Sequence, residues 1–262
     1  MDLELNGKRA LVLASSRGLG LGIASALVAE GATVLLTGRD AGRLEEAARS
    51  LTEQGPGRAD WVSCDMAAAD AVEQLVKAVS ERLGGIDILV NNTGGPKPGP
   101  VTQTAGADWQ SAFTVMVERV ISLTNALLPQ MREQKWGRIL TLTSSGVEQP
   151  IPNLGMSNTL RSALLGWSKT LASEIAADGI TSNVLIPGRI HTDRVDELDA
   201  AAAARASKSV DEIAAASRAT IPVGRYGKVE EFAAVAAFLV SGPASYVTGA
   251  KIRCDGGMIR SI

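Results

Sequence analysis

The chain has 262 residues, of which 45% are hydrophobic and 21% charged, a composition typical of a soluble protein with a sizeable core. Its formal net charge of −2 gives no electrostatic reason to expect nucleic acid or an anionic membrane as a partner. The two cysteines, with no C-x-x-C pair, exclude a disulfide framework and a cysteine-based metal site, so we predict no metal.

Short β-rich apolar runs alternate with helical patterns along the chain. The predicted strands are Leu11–Ala14, Thr33–Thr37, Trp61–Cys64, Ile86–Val90, Arg138–Leu142 and Ser182–Ile186. The predicted helices cover residues 18–30, 41–53, 68–83, 105–132 and 156–177, with a further helix at 230–240. Near-continuous apolar strands alternating with helices favour an α/β fold: a doubly wound parallel sheet (Rossmann fold) in three layers, α/β/α. No linker, repeat or shift in composition divides residues 1–262, so we predict a single domain.

Residues 192–220 differ from the rest because they are Ala-rich and polar. S-V-D-E at Ser209–Glu212 fits a capping box at a helix start. We interpret the segment as two helices that form a substrate flap over the carboxyl ends of the strands, where ligands bind in such sheets. A purely structural helical insert is the alternative.

A glycine-rich loop, A-S-S-R-G-L-G-L-G, follows the first strand and opens the first helix. Glycines there let the backbone approach a pyrophosphate, and the helix N-terminus stabilises its charge. The loop therefore predicts a dinucleotide site. Its predicted contacts are Ser16, Arg17, Gly18, Leu19 and Gly20.

The end of the second strand indicates which dinucleotide binds. Many sites place an acidic residue there, on the ribose 2′-hydroxyl. Here the strand ends in Gly38 and Arg39, while Asp40 fits better as the N-cap of the next helix. A guanidinium matches a phosphate, so Arg39, with Arg17, favours NADP(H) over NAD(H).

Five motifs in order resemble the short-chain dehydrogenase/reductase family, closest to the 3-oxoacyl-(acyl carrier protein) reductase type. The glycine loop has Ala14 where the family has its first glycine. N-N-T-G, C-D-M, P-G-R-I-H-T and the tail from Tyr246 follow at the family's positions. The resemblance implies further cofactor contacts from Asp65, Asn91, Gly94, Pro187, Gly188, Ile190 and Thr192.

The same resemblance implies four catalytic residues: an asparagine, a serine, and the tyrosine and lysine of Y-x-x-x-K. Ser144 matches the serine, but the asparagine position holds Met116. The tyrosine and lysine positions hold Ser157 and Arg161. A serine hydroxyl is a poor general acid, and arginine stays protonated at neutral pH, so the usual proton transfer is lost. Cofactor binding can survive this change, and the predicted catalytic residues are Ser144, Ser157 and Arg161.

Other residues near the site are weaker candidates. His191, the only histidine, lies beside the implied nicotinamide position and is a possible substitute proton donor or an exposed loop residue. Tyr226 and Tyr246 lie in stretches that the family uses structurally. Lys97, in a proline-rich loop, is either an anion contact or a surface lysine.

We therefore hold three hypotheses. The first is an NADP(H)-dependent oxidoreductase acting on a small carbonyl or alcohol substrate. The second is a cofactor-binding sensor or interaction protein without catalysis, and the third is non-redox chemistry such as dehalogenation. By resemblance we expect a homodimer or homotetramer, and we expect a cytoplasmic location because the longest apolar run, Phe232–Val240, is shorter than the ~20 residues of a membrane span.

Overall fold

A seven-stranded parallel sheet forms the centre of the molecule. The computed structural model describes residues 1–262. The strands are β1 (Arg9–Val12), β2 (Thr33–Gly38), β3 (Arg58–Ser63), β4 (Ile88–Asn91), β5 (Gly137–Leu142), β6 (Ile180–Pro187) and β7 (Lys251–Cys254). They lie in the order β3-β2-β1-β4-β5-β6-β7, and every neighbouring pair is parallel. The predicted α/β fold with a doubly wound parallel sheet is confirmed.

Nine α-helices connect and cover these strands. They are α1 (Gly18–Ala29), α2 (Ala41–Gln54), α3 (Ala71–Ala78), α4 (Gly106–Phe113), α5 (Arg119–Glu133), α6 (Gly155–Ile175), α7 (Asp193–Ala206), α8 (Val210–Ala219) and α9 (Val229–Leu239). On one face of the sheet, α1, α2 and α9 contribute to a cluster of 25 buried residues. On the other face, α3, α5 and α6 contribute to a cluster of 18. Helices on both faces give three layers.

The central strands β1, β2 and β4 are largely apolar because successive side chains point to opposite faces and both faces are covered. Val34 and Leu36 of β2 pack toward α1, α2 and α9. Leu35, between them, packs toward α3, α5 and α6. All three side chains are fully buried.

Each predicted strand is confirmed, but one or both of its ends differ from the prediction by one to three residues, most clearly in the first and third strands. The first strand was expected at Leu11–Ala14 but ends at Val12, because Ala14 takes a left-handed conformation with φ of 49° and turns the chain into the glycine loop. The third was expected to start at Trp61 but starts at Arg58, which pairs with Thr33 of β2.

The helix predicted at 105–132 is interrupted. A π-helical turn, Thr114–Glu118, separates α4 from α5 and includes the buried Met116. The whole stretch Gly106–Glu133 has the length and apolar composition of a membrane-crossing helix, as core helices of soluble proteins also do. Its buried residues, such as Leu123 and Leu127, pack on the sheet.

Residues 192–220, which we call the flap, hold two helices, α7 and α8, as the sequence predicts. Ser209 caps α8 in the predicted capping box: its hydroxyl accepts from the Glu212 amide, and the Glu212 carboxylate accepts from the Ser209 amide.

Candidate active site

The loops after β1 and β4 meet where the strand order reverses. β1 lies between β2 and β4. The chain continues from β1 to β2 on one side and from β4 to β5 on the other, so the loops after β1 and β4 lead away from each other. In parallel sheets such a point opens a crevice at the carboxyl ends of the strands, where ligands bind. We call the space between the β1 loop (residues 13–17) and the β4 loop (residues 92–100) the cleft.

Two side chains that the sequence analysis missed brace the glycine loop. The Ser15 hydroxyl donates to the Val12 carbonyl (2.7 Å) and accepts from the Thr37 amide (3.0 Å). The Asn92 amide donates to the Ala14 carbonyl (3.3 Å), which ties the β4 loop to the β1 loop. In the sequence, the pairs Ser15-Ser16 and Asn91-Asn92 were the features that could have indicated these contacts.

The N-terminus of α1 faces the cleft without a side-chain cap. Arg17 is its N-cap residue and makes no capping hydrogen bond, so the amides of the first turn have no side-chain partner. Gly20 has to be glycine, since a Cβ there would lie 2.5 Å from the Ala14 carbonyl oxygen. A Cβ on Gly18 would lie 3.8 Å from the Thr192 methyl, so the base of the flap borders this helix start.

The segment after β2 presents a cation. Arg39 is exposed. Gly38 before it lies against Ser16 of the glycine loop, since a Cβ built on Gly38 would lie 3.4 Å from the Ser16 hydroxyl. Asp40 accepts from the Arg43 amide (3.1 Å), which confirms its predicted N-cap role. Asp40 is therefore engaged within α2.

Two further predicted contacts point in different directions. Asp65, after β3, is exposed and accepts from the Ala67 amide (3.0 Å). Asn91 is 1% exposed, and its amide donates to Thr124 (3.2 Å) and Thr141 (3.5 Å). The Asn91 side chain is thus enclosed between the sheet and α5 and does not face the cleft, whereas the prediction is that Asn91 contacts the cofactor.

Of the three predicted catalytic residues, Ser144 and Arg161 lie at the carboxyl ends of β4 and β5. Ser144 follows β5, and its hydroxyl accepts from the Gly146 amide (3.2 Å), which leaves the hydroxyl proton free to donate. Ser157 and Arg161 lie one turn apart on α6, and both are buried. The Ser157 hydroxyl has no partner within the chain.

Arg161 joins the ends of two strands. One terminal nitrogen of its guanidinium donates to the Leu142 carbonyl (3.2 Å), and the other donates to the Thr93 carbonyl (3.0 Å). Burial, together with the nearby charge of Arg194, lowers the pKa of Arg161 to about 10. It remains a cation at neutral pH, and its hydrogen-bond partners are carbonyls, with no carboxylate.

The other candidate proton donors lie away from these residues. The Tyr226 hydroxyl donates to Asp199 of α7 (2.6 Å), and Tyr246 is fully exposed on the surface. His191 Nε2 lies 3.3 Å from an Asp196 carboxylate oxygen, and two thirds of its side chain is exposed. Burial and the hydrogen bond to Asp199 raise the pKa of Tyr226, so it is not an activated phenol.

The segment Pro187–Thr192, after β6, is packed tightly into the sheet edge. The Gly188 amide donates to the Cys254 carbonyl (2.9 Å), and a Cβ on Gly188 would lie 2.5 Å from the Asp255 Cα. Ile190 is buried and pairs with Gly227. The backbone of this segment is therefore fixed before the flap begins.

Charged contacts hold the flap over the cleft. Arg17 of the glycine loop pairs with Asp193 (3.0 Å) and approaches Glu197 (3.8 Å). At the base of the flap the buried Asp199 pairs with Arg189 (3.2 Å) and accepts from Tyr226. No local motif in the sequence indicates the Arg189–Asp199–Tyr226 group, because Tyr226 is distant in sequence from the other two residues.

Comparisons with known proteins identify the family. A family model described as enoyl-(acyl carrier protein) reductase matches residues 13–259. The 3-oxoacyl-[acyl-carrier-protein] reductase FabG of Aquifex aeolicus is 33% identical over 98% of this chain and 100% of its own length. A solved short chain dehydrogenase/reductase family protein is 32% identical, with a TM-score of 0.82 over 97% of this chain and 99% of its own. The chain belongs to the short-chain dehydrogenase/reductase family.

This confirms the family resemblance and its 3-oxoacyl-(acyl carrier protein) reductase type. Another similar structure, the L-sorbose reductase of Gluconobacter frateurii, was solved with NADPH and L-sorbose. It is 33% identical, with a TM-score of 0.95, and each chain is covered completely.

Proposed function

We propose that the chain is an NADP(H)-dependent oxidoreductase acting on a small carbonyl or alcohol substrate through a non-standard active site. The observation that carries this proposal is the cleft itself. An uncapped helix start after β1, an exposed Arg39 after β2 and a buried, carbonyl-bound Arg161 beside the β4 loop lie at the carboxyl ends of three neighbouring strands. The relatives that were solved with NADPH or named as reductases support the same class of reaction.

The residues of the cleft fit a dinucleotide phosphate. The amides of Gly18, Leu19 and Gly20 suit a pyrophosphate because they begin α1 without a side-chain cap. Arg39 suits the 2′-phosphate because it is exposed and its neighbour Asp40 is engaged as an N-cap. When bound, the nicotinamide supplies or accepts a hydride.

Residues on the remaining sides of the cleft complete this assignment. We assign Asp65 to the adenine side, and Gly94 with the segment Pro187–Thr192 to the nicotinamide side. Asn91 supports the site from the interior through its hydrogen bond to Thr124. Arg17 is held by Asp193, so it serves the phosphate only after leaving that ion pair.

The chain's own groups can stabilise an oxyanion but are poor proton donors. The Ser144 hydroxyl has its proton free to donate to a carbonyl oxygen, because it already accepts from Gly146. Arg161 supplies a fixed positive charge from behind, and preorganised charge of this kind stabilises developing negative charge. The proton then comes from the Ser157 hydroxyl or from water, and the rate without a tuned general acid is ~10²–10⁴-fold lower.

The first experiment is a calorimetric titration with NADPH, NADP⁺, NADH and NAD⁺, followed by turnover assays on a panel of ketones and alcohols. We expect micromolar binding that favours the phosphorylated forms, and slow turnover. The double variant Ser157→Tyr/Arg161→Lys restores a tunable phenol and should raise kcat by ~10²-fold or more. The single variant Ser157→Tyr, without the lysine, is the matched control and should gain less. A chain that binds none of the four nucleotides would refute the proposal.

A second candidate is cofactor binding without catalysis, as in a redox sensor. It is favoured by the positions of the tyrosines, since Tyr226 is bound to Asp199 and Tyr246 lies on the surface. Tight NADPH binding with no turnover in either direction would support this candidate. A partner protein whose binding depends on the nucleotide would then be its positive test.

We also propose that the chain forms a homodimer or homotetramer and is cytoplasmic. Exposed apolar side chains support the oligomer, because Phe113 of α4 is 43% exposed and Val101 nearby is 51% exposed. Light scattering on a size-exclusion column measures the mass directly, and a particle of about 27 kDa would contradict an oligomer.

A further inference from the structure

Two guanidinium groups hold the β4 loop from opposite ends. Arg161 of α6 donates to the Thr93 carbonyl (3.0 Å) from within the protein. Arg194 of the flap donates to the Pro96 carbonyl (3.5 Å) from above. Between these carbonyls lies Gly94, where a Cβ would meet no heavy atom within 4 Å. The open part of the cleft thus lies between two positive charges.

The carboxylates nearby do not neutralise both charges. Glu197 pairs with Arg194 (3.1 Å) and also lies 3.8 Å from Arg17. Asp193 pairs with Arg17 (3.0 Å). Arg161 is left with carbonyl partners alone, and its pKa is lowered by burial and by the nearby like charge of Arg194.

A buried cation without a carboxylate is unfavourable, and an anion that enters the cleft relieves it. Arg161 is 7% exposed and two of its nitrogens are already used, so it acts through its field. Arg194 is about half exposed and can turn its planar fork toward a ligand. The start of α1 and Arg39 are assigned to the cofactor phosphates, so the charge of Arg161 is left to match a monoanion beside the nicotinamide.

We propose that the cleft selects substrates that carry a carboxylate, which Arg194 binds directly while Arg161 attracts it from behind. The substrate class is then small oxo acids and the corresponding hydroxy acids. The inference rests on the proposed function for the reacting carbonyl, but the anion site can be tested without turnover. Glu197 competes with the substrate, because its carboxylate occupies Arg194 when no ligand is bound.

The test uses one carbon skeleton with and without charge: acetoacetate and methyl acetoacetate, titrated by calorimetry into the full chain saturated with NADP⁺. We expect the acid to bind about 10- to 100-fold more tightly than the ester, the range of one charge-assisted hydrogen-bonded pair. Raising NaCl from 50 mM to 500 mM should weaken the acid only, since Arg194 is accessible to salt.

Three variants separate the contributions. Arg194→Met should bring the acid-to-ester ratio close to one. Glu197→Gln should raise acid affinity about two- to fivefold by removing the competitor, a range that suits an exposed ion pair. Arg205→Met, on the exposed end of the same helix, is the matched control and should leave the ratio unchanged.

NADPH oxidation with the same two compounds separates this inference from the proposed function. Oxidation with the ester as readily as with the acid would overturn the inference and leave the function standing. Preferential acid binding that depends on Arg194, without any oxidation, would support the inference while the function fails. Equal binding of acid and ester, or binding of neither, would also overturn the inference.

Discussion

Replacing Ala14 with glycine should stabilise this protein, although alanine-to-glycine changes usually destabilise. Ala14 has a φ of 49°, in the left-handed region where a Cβ approaches the following carbonyl oxygen. Its carbonyl accepts from Asn92 (3.3 Å), so the conformation is held in place by a contact between the β1 and β4 loops. The strain therefore persists in the native state.

Two opposing terms set the size of the effect. A left-handed non-glycine residue costs ~1–2 kcal/mol, which the variant recovers. Glycine also loses more backbone entropy on folding, which costs ~0.4–1 kcal/mol. We expect a net gain of ~0.5–1 kcal/mol in the free energy of unfolding, which for a chain of this size raises Tm by about 1–4 °C.

The assay is urea and thermal unfolding of Ala14→Gly beside Ala204→Gly. Ala204 is an exposed residue inside α7, where glycine costs ~1 kcal/mol. The two variants carry the same chemical change and should move Tm in opposite directions. A fall in Tm at Ala14 equal to that at Ala204 would show that the backbone at Ala14 is not strained.

Three further variants test other parts of the molecule. Arg39→Ala should reduce the preference for NADPH over NADH in calorimetry ~10- to 100-fold, because a charge-assisted contact to phosphate is removed. Tyr226→Phe removes the 2.6 Å hydrogen bond to the buried Asp199 and should cost ~1–2 kcal/mol, seen as faster proteolysis within the flap. Burial raises the pKa of Asp87, but hydrogen bonds from Arg9 outweigh it and the net pKa is lowered. Its stabilising contribution is thus present above the usual aspartate pKa of about 3.9 and is lost as pH falls through the lowered value, so Asp87→Asn should destabilise at pH 7, and the difference from the parent should shrink as the pH falls below that usual value.

The sequence predicts most of this fold because its strands are distinctive. A continuous apolar run such as V-L-L, within T-V-L-L-T, is typical of a parallel strand that is covered on both faces. Strand ends were less predictable. β1 stops at Val12 because Ala14 turns into the left-handed region, and an apolar alanine gives no warning of that conformation.

The site was predictable where a local motif carries it and not where distant residues meet. The glycine loop and the N-cap at Asp40 follow from adjacent residues, whereas the Asp199–Tyr226 contact joins a residue of α7 to one in the loop before α9. The direction of the Asn91 side chain could have been predicted from the alternation of side chains along β4. In β4, Ile88 and Val90 share one face and Leu89 the other, so alternation places Asn91 on the side of α5.

The rate of the proposed reaction should be independent of pH between about 7 and 9. Arg161 has a pKa of about 10, so it keeps its charge across this range, and the hydroxyls of Ser144 and Ser157 do not ionise in it. A phenol tuned by a neighbouring cation would titrate there instead. We therefore expect a flat profile of kcat against pH for the parent chain, and a pH-dependent profile for Ser157→Tyr/Arg161→Lys.

His191 supplies the outcome that would contradict this reasoning. Histidine is the one side-chain type that ordinarily changes charge between pH 5 and 8, and His191 is the only one in the chain. Its exposed ring pairs with Asp196 at the flap base, away from Arg161. A rate that changes between pH 7 and 8 and becomes flat in His191→Asn would make His191 the proton donor. The serine and arginine of α6 would then serve only to hold the site together.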